Sequence, residues 1–286
     1  MGGHQITPDP HRLAGYCSIA QVKHISYTVG MSRQAADDRL IDAFANAKHV
    51  FVFTGAGASK ESGLPTFRDG EGVWKQYDPM TMATMDGFTR DPVKVWNMYR
   101  LRQRQIVEAQ PNPGHIALAR MEHYYPQFLL ATQNVDDLHE RAGSGKMVKI
   151  HGDAWQMRCL KCHEVYDTRE MDFPDEFTQE TLPTCPKDRS LCRPNIVWFG
   201  EYVPRQAILA ATTCSASCDL MLIVGTSGEV SSGYGFAQYA LANDATVVEV
   251  NPAQGALTRF AHFWISEPAG VALPRIWKLV TGEQVS

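Results

Sequence analysis

The stretch HVFVFTGAGASKESGLPTFR, residues 49–68, carries the strongest fold signal of the chain. After His49, four aromatic and β-branched residues in a row favour a short buried strand. Gly55 and Gly57 follow directly, and glycine lets backbone N–H groups approach a phosphate closely. The pattern predicts either a dinucleotide-binding turn or a tight turn without a ligand. The third glycine and the later acid of hydride-transferring dehydrogenases are not clear here, so hydride transfer is disfavoured.

Other apolar runs along the chain end in polar or glycine-rich residues in the same way. These runs are Phe128–Thr132, Met147–Ile150, Leu220–Val224 and Thr246–Val250, followed by Gln133, His151, Gly225 and Asn251 in turn. A helical pattern at 36–47 precedes the first strand, and others, at Pro92–Ala109 and Gly114–His123, lie between strands. Strands that alternate with helices predict an α/β fold, a Rossmann-like doubly wound parallel sheet with both faces covered. Such sheets bind ligands at the carboxyl ends of their strands, where these polar residues lie.

The chain is long enough for one large domain and a small appended one. We expect the Rossmann-like domain to comprise 35–154 and 193–286, with a helical segment at about 70–110. Residues 155–192 hold four cysteines and little apolar periodicity, which predicts a small zinc-ribbon-type insertion. Residues 1–34 show few structure signals, and are either a partly ordered extension or sequence upstream of a start near Met31.

Composition excludes several classes of partner. A net charge of −4 argues against a nucleic-acid-binding surface. No apolar run approaches the ~18 residues that span a bilayer, and the first residues lack the pattern of a secretory signal. Seven cysteines cannot all pair with one another, which fits a reducing cytoplasm. We therefore expect a cytoplasmic monomer without a nucleic-acid or membrane partner.

Several motifs, in order along the chain, resemble those of one family. They are Ser62-Gly-Leu-Pro-Thr-Phe-Arg68, Thr132-Gln-Asn-Val-Asp-Asp-Leu-His139, His151-Gly152, Val197-Trp-Phe-Gly-Glu201, Gly225-Thr-Ser227 and Asn251. Together they are similar to the sirtuins, over roughly 36–275. The resemblance implies a transferase-type enzyme that removes acyl groups from protein lysine with NAD as co-substrate. Its products would be free lysine, nicotinamide and 2′-O-acyl-ADP-ribose.

The resemblance also implies roles for individual residues of the cofactor site. Asn134 and Asp136 would bind the nicotinamide carboxamide, and His151 would accept a proton from a ribose hydroxyl, a role that suits the pKa of histidine. Phe67 would shield the reacting ribosyl carbon from water, and Gln133 would contact the ribose next to nicotinamide. The phosphate side would be formed by Gly55, Ala56, Gly57, Ser59 and Arg68. The adenosine side would be formed by Gly225, Thr226, Ser227, Asn251 and Ala269.

The substrate side includes a groove and an acyl pocket. The groove for the substrate backbone would be lined by Val197, Trp198, Phe199, Gly200 and Glu201. Tyr99 and Arg102 are three residues apart in a predicted helix, so they share one face and can bind a carboxylate together. With Ala83 they resemble the sirtuins that remove succinyl, malonyl and glutaryl groups. The alternative is a plain deacetylase in which Arg100, Arg102 and Arg104 form a solvated basic face, and two departures, Pro79 and Met85–Phe88, also alter the expected pocket wall.

Only the first half of the cysteine module follows the regular spacing of a zinc site. Cys159 and Cys162 form a CxxC pair, which is half of a tetrahedral zinc site. Cys185 would be the third ligand, and the fourth position in the family's pattern falls on Asp188. We favour Cys192 as the fourth ligand, because thiolates bind zinc more strongly than a carboxylate does. Asp188 as the ligand, or loss of the metal, remain the alternatives; a bound zinc would be structural.

Two other functions use the same fold. An ADP-ribosyltransferase or NAD glycohydrolase would need Asn134, Asp136 and the cofactor loop but no acyl pocket. A catalytically silent NAD-binding scaffold would need a defective base or carboxamide site, and the sequence shows none. The joint presence of His151, Tyr99 and Arg102 favours deacylation over both.

Overall fold

The computed structural model describes residues 33–66, 77–230 and 234–285. The strands are β1 (His49–Thr54), β2 (Gln127–Thr132), β3 (Met147–Lys149), β4 (Gly152–Cys159), β5 (Val165–Asp167), β6 (Cys192–Ile196), β7 (Leu220–Val224), β8 (Thr246–Val250) and β9 (Phe263–Ile265). The helices are α1 (Arg33–Asn46), α2 (Pro79–Met82), α3 (Met85–Arg90), α4 (Pro92–Glu108), α5 (Pro113–Tyr124), α6 (Leu138–Arg141), α7 (Arg205–Ser215), α8 (Phe236–Ala242) and α9 (Ala269–Thr281). Short 3₁₀ helices cover Ala56–Ser62 and Thr258–Phe260.

The large sheet is parallel and has the strand order β3-β2-β1-β7-β8-β9. The chain builds it outward from β1 in one direction through β2 and β3, and in the other through β7, β8 and β9. The order therefore reverses between β1 and β7. Because the two loops that leave these strands diverge, a crevice opens at their carboxyl ends. Gly55 and Gly225 lie directly at this point.

Alternate residues of β1 pack against different helical layers. Val50 and Val52 belong to one core cluster, with residues of α1, α5 and α9. Phe51 and Phe53 belong to another, with residues of α7 and α8. All four side chains are buried. Burial of every side chain on both faces explains why this strand reads as a continuous apolar run.

A second, antiparallel sheet has the order β5-β4-β6. Its apolar side chains join those of α4 in one core cluster that contains Trp96, Met157 and Trp198. The indole N–H of Trp96 donates to the carbonyl of Cys192 at 3.0 Å. The long helix α4 thus packs against the small sheet with one face, and its other faces can contact the large domain.

The fold class expected from the sequence is confirmed, a parallel sheet with helices on both faces and a small cysteine-bearing insertion. The strand β9 was not predicted, since three residues that pair with β8 alone give little periodicity. The small sheet begins at Gly152 and ends at Ile196, so β4 and β6 extend beyond residues 155–192 on both sides. No helix in the described part of the chain is long and apolar enough to cross a membrane.

Candidate active site at the carboxyl ends of the parallel strands

The turns after β1 and β7 touch through their backbones. The N–H of Gly55 donates to the carbonyl of Val224 at 3.0 Å, and that of Gly57 donates to Gly225 at 2.8 Å. A Cβ at Gly225 would lie 2.2 Å from the nitrogen of Ala58, and its φ is +60°. Only glycine fits such a contact. The N–H of Gly57 thus joins the two turns, and the expected place of Gly57 on the phosphate side stays a prediction.

A buried polar cluster connects the glycine turn with the end of β2. The hydroxyl of Ser59 donates to Oδ2 of Asp136 at 3.1 Å and accepts from Nδ2 of Asn134 at 3.0 Å. The Nε2 of His115 lies 3.4 Å from the same hydroxyl. All four side chains are buried. The structure therefore brings together two residues that the sequence selected for the nicotinamide site, one that it selected for the phosphate side, and His115, which it did not select.

His115 was not among the site residues expected from the sequence, and its place in the cluster was missed. Its Nδ1 accepts from the backbone N–H of Asn112 at 3.2 Å, so its hydrogen is on Nε2 and points at Ser59. Burial lowers the pKa of His115 to about 4, although the charge of Asp136 opposes this shift. The histidine is thus a neutral donor. The Asn112-Pro113-Gly114-His115 sequence is the start of α5 with a capping box, and that pattern could have indicated a fixed histidine.

His151 follows β3 at the same edge of the sheet. Its Nε2 lies 3.0 Å from the hydroxyl of Tyr234, and its backbone carbonyl accepts from Val197 at 2.9 Å. Burial lowers the pKa of the imidazole, and a hydrogen bond with the backbone of Gln133 opposes this. Tyr234 was missed by the sequence reasoning, since nothing local marks it. Its ring packs 5.5 Å from that of Phe236, which belongs to the core.

The residues expected on the ribose and adenosine side converge on Thr226. The amide of Gln133 donates to its Oγ1 at 2.8 Å, and the amide of Asn251 donates to its carbonyl at 3.1 Å. Ser227 accepts from the backbone of Ala256 at 2.8 Å. Ala269 is buried at the first turn of α9. Two further candidates, Phe67 and Arg68, lie outside the described residues.

Tyr99 and Arg102 lie on α4, and their surroundings differ from those of the other arginines of that helix. Arg100 donates to the carbonyls of Phe173 and Pro174 at 3.1 and 3.0 Å, and Arg104 donates to Asp175. These two arginines therefore bind the small module, and Arg104 does so through an exposed ion pair.

Arg102 contacts the segment that follows the glycine turn. Its guanidinium donates to the carbonyl of Pro65 at 3.5 Å and to Gln105 at 3.3 Å. Burial lowers the pKa of the guanidinium, and the charge of Asp136 opposes the shift. Tyr99 is buried, and its hydroxyl accepts from the indole N–H of Trp198 at 2.9 Å. The geometry gives a cation and a phenol at the boundary of the crevice and the small module.

Ala83 and the departures near it form the wall beside Tyr99. Ala83 is buried, and its carbonyl accepts from the backbone of Phe199 at 2.9 Å. Met85–Phe88 begins the short helix α3, whose buried Phe88 ring lies 5.4 Å from the ring of Trp198. Pro79 begins α2. This wall therefore also contacts the segment that was expected to form the groove.

The expected groove residues divide into exposed and buried ones. Phe199 is 41% exposed and Gly200 is exposed with a φ of +85°, whereas Trp198 is 2% exposed. Val197 is half-buried. Glu201 forms an ion pair with Arg193, a fully buried residue that the sequence reasoning missed. Trp198 and Glu201 thus support the segment, and Phe199 and Gly200 face outward.

Four side chains of the small module could hold a metal ion. The sulfurs of Cys159, Cys162 and Cys185 and a carboxylate oxygen of Asp188 all lie within 4.8 Å of one another. The Sγ atoms of Cys162 and Cys185 are 3.7 Å apart. Two thiolates on a tetrahedral zinc, with Zn–S bonds of about 2.3 Å, are separated by about 3.8 Å. The donor set and its spacing therefore fit one structural zinc ion.

Cys192 lies outside this group, which corrects the expectation that it completes the site. It pairs with Cys159 across β4 and β6, and it is buried among the apolar side chains of the module. Asp188 instead approaches Cys159 to 3.6 Å and is oriented by the N–H of Ser190 at 3.0 Å. The turn after Cys185 brings the carboxylate inward, and the sequence spacing could not show this.

Comparisons with known proteins agree with this geometry. The model of the Sir2 family matches residues 55–232. NAD-dependent protein deacylase 2 of Pyrobaculum aerophilum is 43% identical over 235 residues, which cover 82% of this chain and 92% of that protein. The structure of a Sir2 homolog–NAD complex aligns with a TM-score of 0.79 at 34% identity, over 86% of this chain and 94% of the other. The structure of Sir2 bound to acetylated peptide aligns with a TM-score of 0.73 at 26% identity, over 84% and 97%.

Proposed function

The chain belongs to the Sir2 family, and from this premise we propose that it removes acyl groups from protein lysine with NAD as co-substrate, acidic acyl groups being preferred. A similar protein is named NAD-dependent protein deacylase, and similar structures contain NAD or an acetylated peptide. The observation that carries the proposal is the convergence of Ser59, Asn134 and Asp136 beside the switch point of the sheet. The partners are proteins that carry acyl-lysine.

The reaction consumes acyl-lysine, NAD and water, and it yields lysine, nicotinamide and O-acyl-ADP-ribose. NAD supplies the ribosyl carbon, whose bond to nicotinamide breaks as the acyl oxygen forms a new bond to that carbon. A base must then take a proton from a ribose hydroxyl, whose oxygen forms a bond to the acyl carbon. Water then displaces the lysine nitrogen from that carbon, which releases lysine and leaves the acyl group on the sugar. His151 is suited to this role because its burial lowers its pKa and keeps the imidazole neutral.

Hydrogen bonds within the protein hold the side chains of Asn134 and Asp136. The hydroxyl of Ser59 bridges the two side chains, and His115 adds a neutral donor on the same oxygen. Side chains held in place in this way need no rearrangement when they bind the carboxamide, which lowers the cost of reaching the transition state. The zinc site lies apart from these residues, in the small module, and its donor set leaves no ligand position for a catalytic water.

The preference for acidic acyl groups is supported by the position of Arg102. The other arginines of α4 bind the small module, while the Arg102 guanidinium faces the crevice near Pro65 and Asp136. A guanidinium that is partly shielded from water interacts strongly with a carboxylate. Tyr99, on the same face of the helix, supplies a second polar group. Plain deacetylation would make no use of this pair.

The test measures the ratio of kcat/KM for succinyl-lysine and acetyl-lysine peptides of one sequence, with NAD. Arg102→Met is expected to lower the ratio by about 10- to 100-fold, since a hydrogen bond to a charged group contributes about 1.5–3 kcal/mol. Arg104→Met is the matched control, because this arginine lies on the same helix but binds Asp175. The control should keep the wild-type ratio.

Two other outcomes would overturn the proposal in different ways. A wild-type enzyme that prefers the acetyl peptide, with a ratio insensitive to Arg102→Met, would be a plain deacetylase. Absence of turnover with both peptides, while NAD is still hydrolysed or transferred, would indicate an ADP-ribosyltransferase or NAD glycohydrolase.

A further inference from the structure

Trp198 occupies an unexpected place for a residue of the substrate segment. It is 2% exposed, so its side chain does not line the groove with Phe199 and Gly200. Its indole N–H instead donates to the hydroxyl of Tyr99 at 2.9 Å. The two residues are far apart in sequence, and the contact connects the groove segment directly with α4.

The donor role of the indole fixes the direction of the Tyr99 hydroxyl. An indole N–H can only donate, so the phenol oxygen must accept at this contact. Among the residues that the structure describes, Trp198 is the one hydrogen-bond partner of this hydroxyl. The hydrogen of Tyr99 is therefore directed away from the indole, and no residue that the structure describes accepts it. Burial raises the pKa of the phenol above its usual range, so it stays protonated.

Trp198 is itself held on several sides. The guanidinium of Arg193 lies 3.4 Å from the centre of its ring, and Glu201, paired with Arg193, accepts from the Trp198 backbone N–H at 2.9 Å. The ring of Phe88 packs 5.4 Å from the indole. A cation on the face of an indole draws electron density from the ring and makes its N–H a better donor. These contacts leave the indole one orientation, with its N–H on Tyr99.

We propose that Trp198 is a positioning residue for acyl specificity, which turns the Tyr99 hydroxyl into a fixed donor for the distal carboxylate of an acidic acyl group. The inference rests on the proposed function and adds the residue through which the groove segment controls the acyl pocket. An acyl carboxylate would accept from the hydroxyl. A neutral acetyl group would leave the same buried hydroxyl without an acceptor, which disfavours it.

The simpler explanation is that the indole donates to Tyr99 only because its buried N–H needs a hydrogen-bond acceptor. Buried indoles usually find a partner, and this would give Trp198 a packing role alone. The two explanations differ in one respect. A packing residue affects all acyl substrates alike, whereas a residue that acts through Tyr99 affects the acidic ones and has no effect once Tyr99 has lost its hydroxyl.

The test is a double-mutant cycle in the full-length protein with Trp198→Phe and Tyr99→Phe. Each substitution keeps an aromatic ring and removes one member of the hydrogen bond. The succinyl-to-acetyl ratio of kcat/KM is expected to fall about tenfold in Trp198→Phe, and at least as far in Tyr99→Phe. The double variant should fall no further than Tyr99→Phe, because coupled residues are not additive. Trp198→His, which keeps a ring N–H, should recover part of the ratio.

A measurement on the wild-type protein covers the case in which the Trp198 variants do not fold. The Trp198 indole N–H signal is assigned as the one whose chemical shift changes between the nitrogen–proton spectra of the wild type and Tyr99→Phe. Saturating succinyl-lysine peptide should shift this signal, and acetyl-lysine peptide should shift it less. Equal shifts with both peptides, or additive effects in the cycle, would overturn the inference.

Different results would overturn the proposed acidic-acyl specificity and the proposed role of Trp198. If Arg102→Met abolishes the succinyl preference but Trp198→Phe retains it, acidic-acyl specificity stands and the role of Trp198 is wrong. If Arg102→Met has no effect and acetyl is preferred, the specificity itself is wrong. In that case any effect of Trp198→Phe reports packing.

Discussion

The environment of His151 suits the role in proton transfer that we propose for it. A histidine in water has a pKa near 6.5 and is therefore partly protonated at slightly acidic pH. Here burial lowers the pKa, and the hydrogen bond with the Gln133 backbone only partly offsets it. The imidazole therefore remains neutral, and able to accept a proton, to a lower pH than an exposed histidine does.

The first prediction concerns the pH dependence of acyl removal. Because protonation inactivates the base, kcat/KM should fall as pH decreases through the lowered pKa, so the acid limb lies below pH 6.5. His151→Ala should lower kcat/KM by about 10²- to 10⁴-fold and flatten this limb. The measurement is a pH–rate profile with succinyl-lysine peptide, beside calorimetric NAD binding, which should persist. His123→Ala, an exposed histidine on α5, is the control. A limb unchanged in His151→Ala would exclude this residue as the base.

At the scale of elements, the crevice depends on how closely two turns approach. The turn after β1 and the turn after β7 meet through backbone hydrogen bonds of 2.8 and 3.0 Å. Gly225 has no room for a side chain, since a Cβ would lie 2.2 Å from the nitrogen of Ala58. The switch point of the sheet brings the strands together, and glycine lets their loops touch.

Gly225→Ala should therefore push the two turns apart. Both the backbone clash and the φ of +60° oppose the substitution, and we expect a loss of at least 2 kcal/mol of stability with a KM for NAD raised more than tenfold. Gly145→Ala is a matched control, because a Cβ there would meet only Glu122 at an ordinary 3.5 Å. Thermal unfolding and NAD kinetics measure both effects. Equal behaviour of the two variants would contradict the role given to the turns.

At the scale of the molecule, the small module is connected to the catalytic edge by its two long strands. β4 begins directly after His151, and β6 runs from Cys192 to the residue before Val197. The cysteine cluster lies at the opposite ends of these strands. A metal ion that fixes the cluster would therefore also hold the segments that carry the base and the groove.

The metal prediction separates the two candidates for the fourth ligand. Asp188→Ala should lower zinc content after dialysis against a chelator and reduce the unfolding midpoint by about 5 °C, since a weakened site stabilises the module less. Cys192→Ser should retain about one zinc per chain, because Cys192 lies outside the ligand group. Zinc is measured by elemental analysis. The reverse result would assign the fourth position to Cys192.

The sequence alone was sufficient for the alternation of strands and helices and for the residues at the strand ends. Strand β1 shows why: every side chain after His49 is buried, so its apolar run is continuous and has clear limits. The glycine turns and the segment with Asn134 and Asp136 could also be recognised in the sequence, because particular residue types at short spacing mark them. Sequence patterns over a few neighbouring residues therefore predict local structure well.

The tertiary structure decided which distant residues meet. The fold places His115 on Ser59, Tyr234 on His151 and Trp198 on Tyr99, and each pair is separated by more than fifty residues. It also selects Asp188 over Cys192, because the turn after Cys185 orients the carboxylate inward. Such contacts produce no periodic pattern in the sequence of either segment. They follow from packing across the whole chain, and so the residue types could be predicted from the sequence while their partners could not.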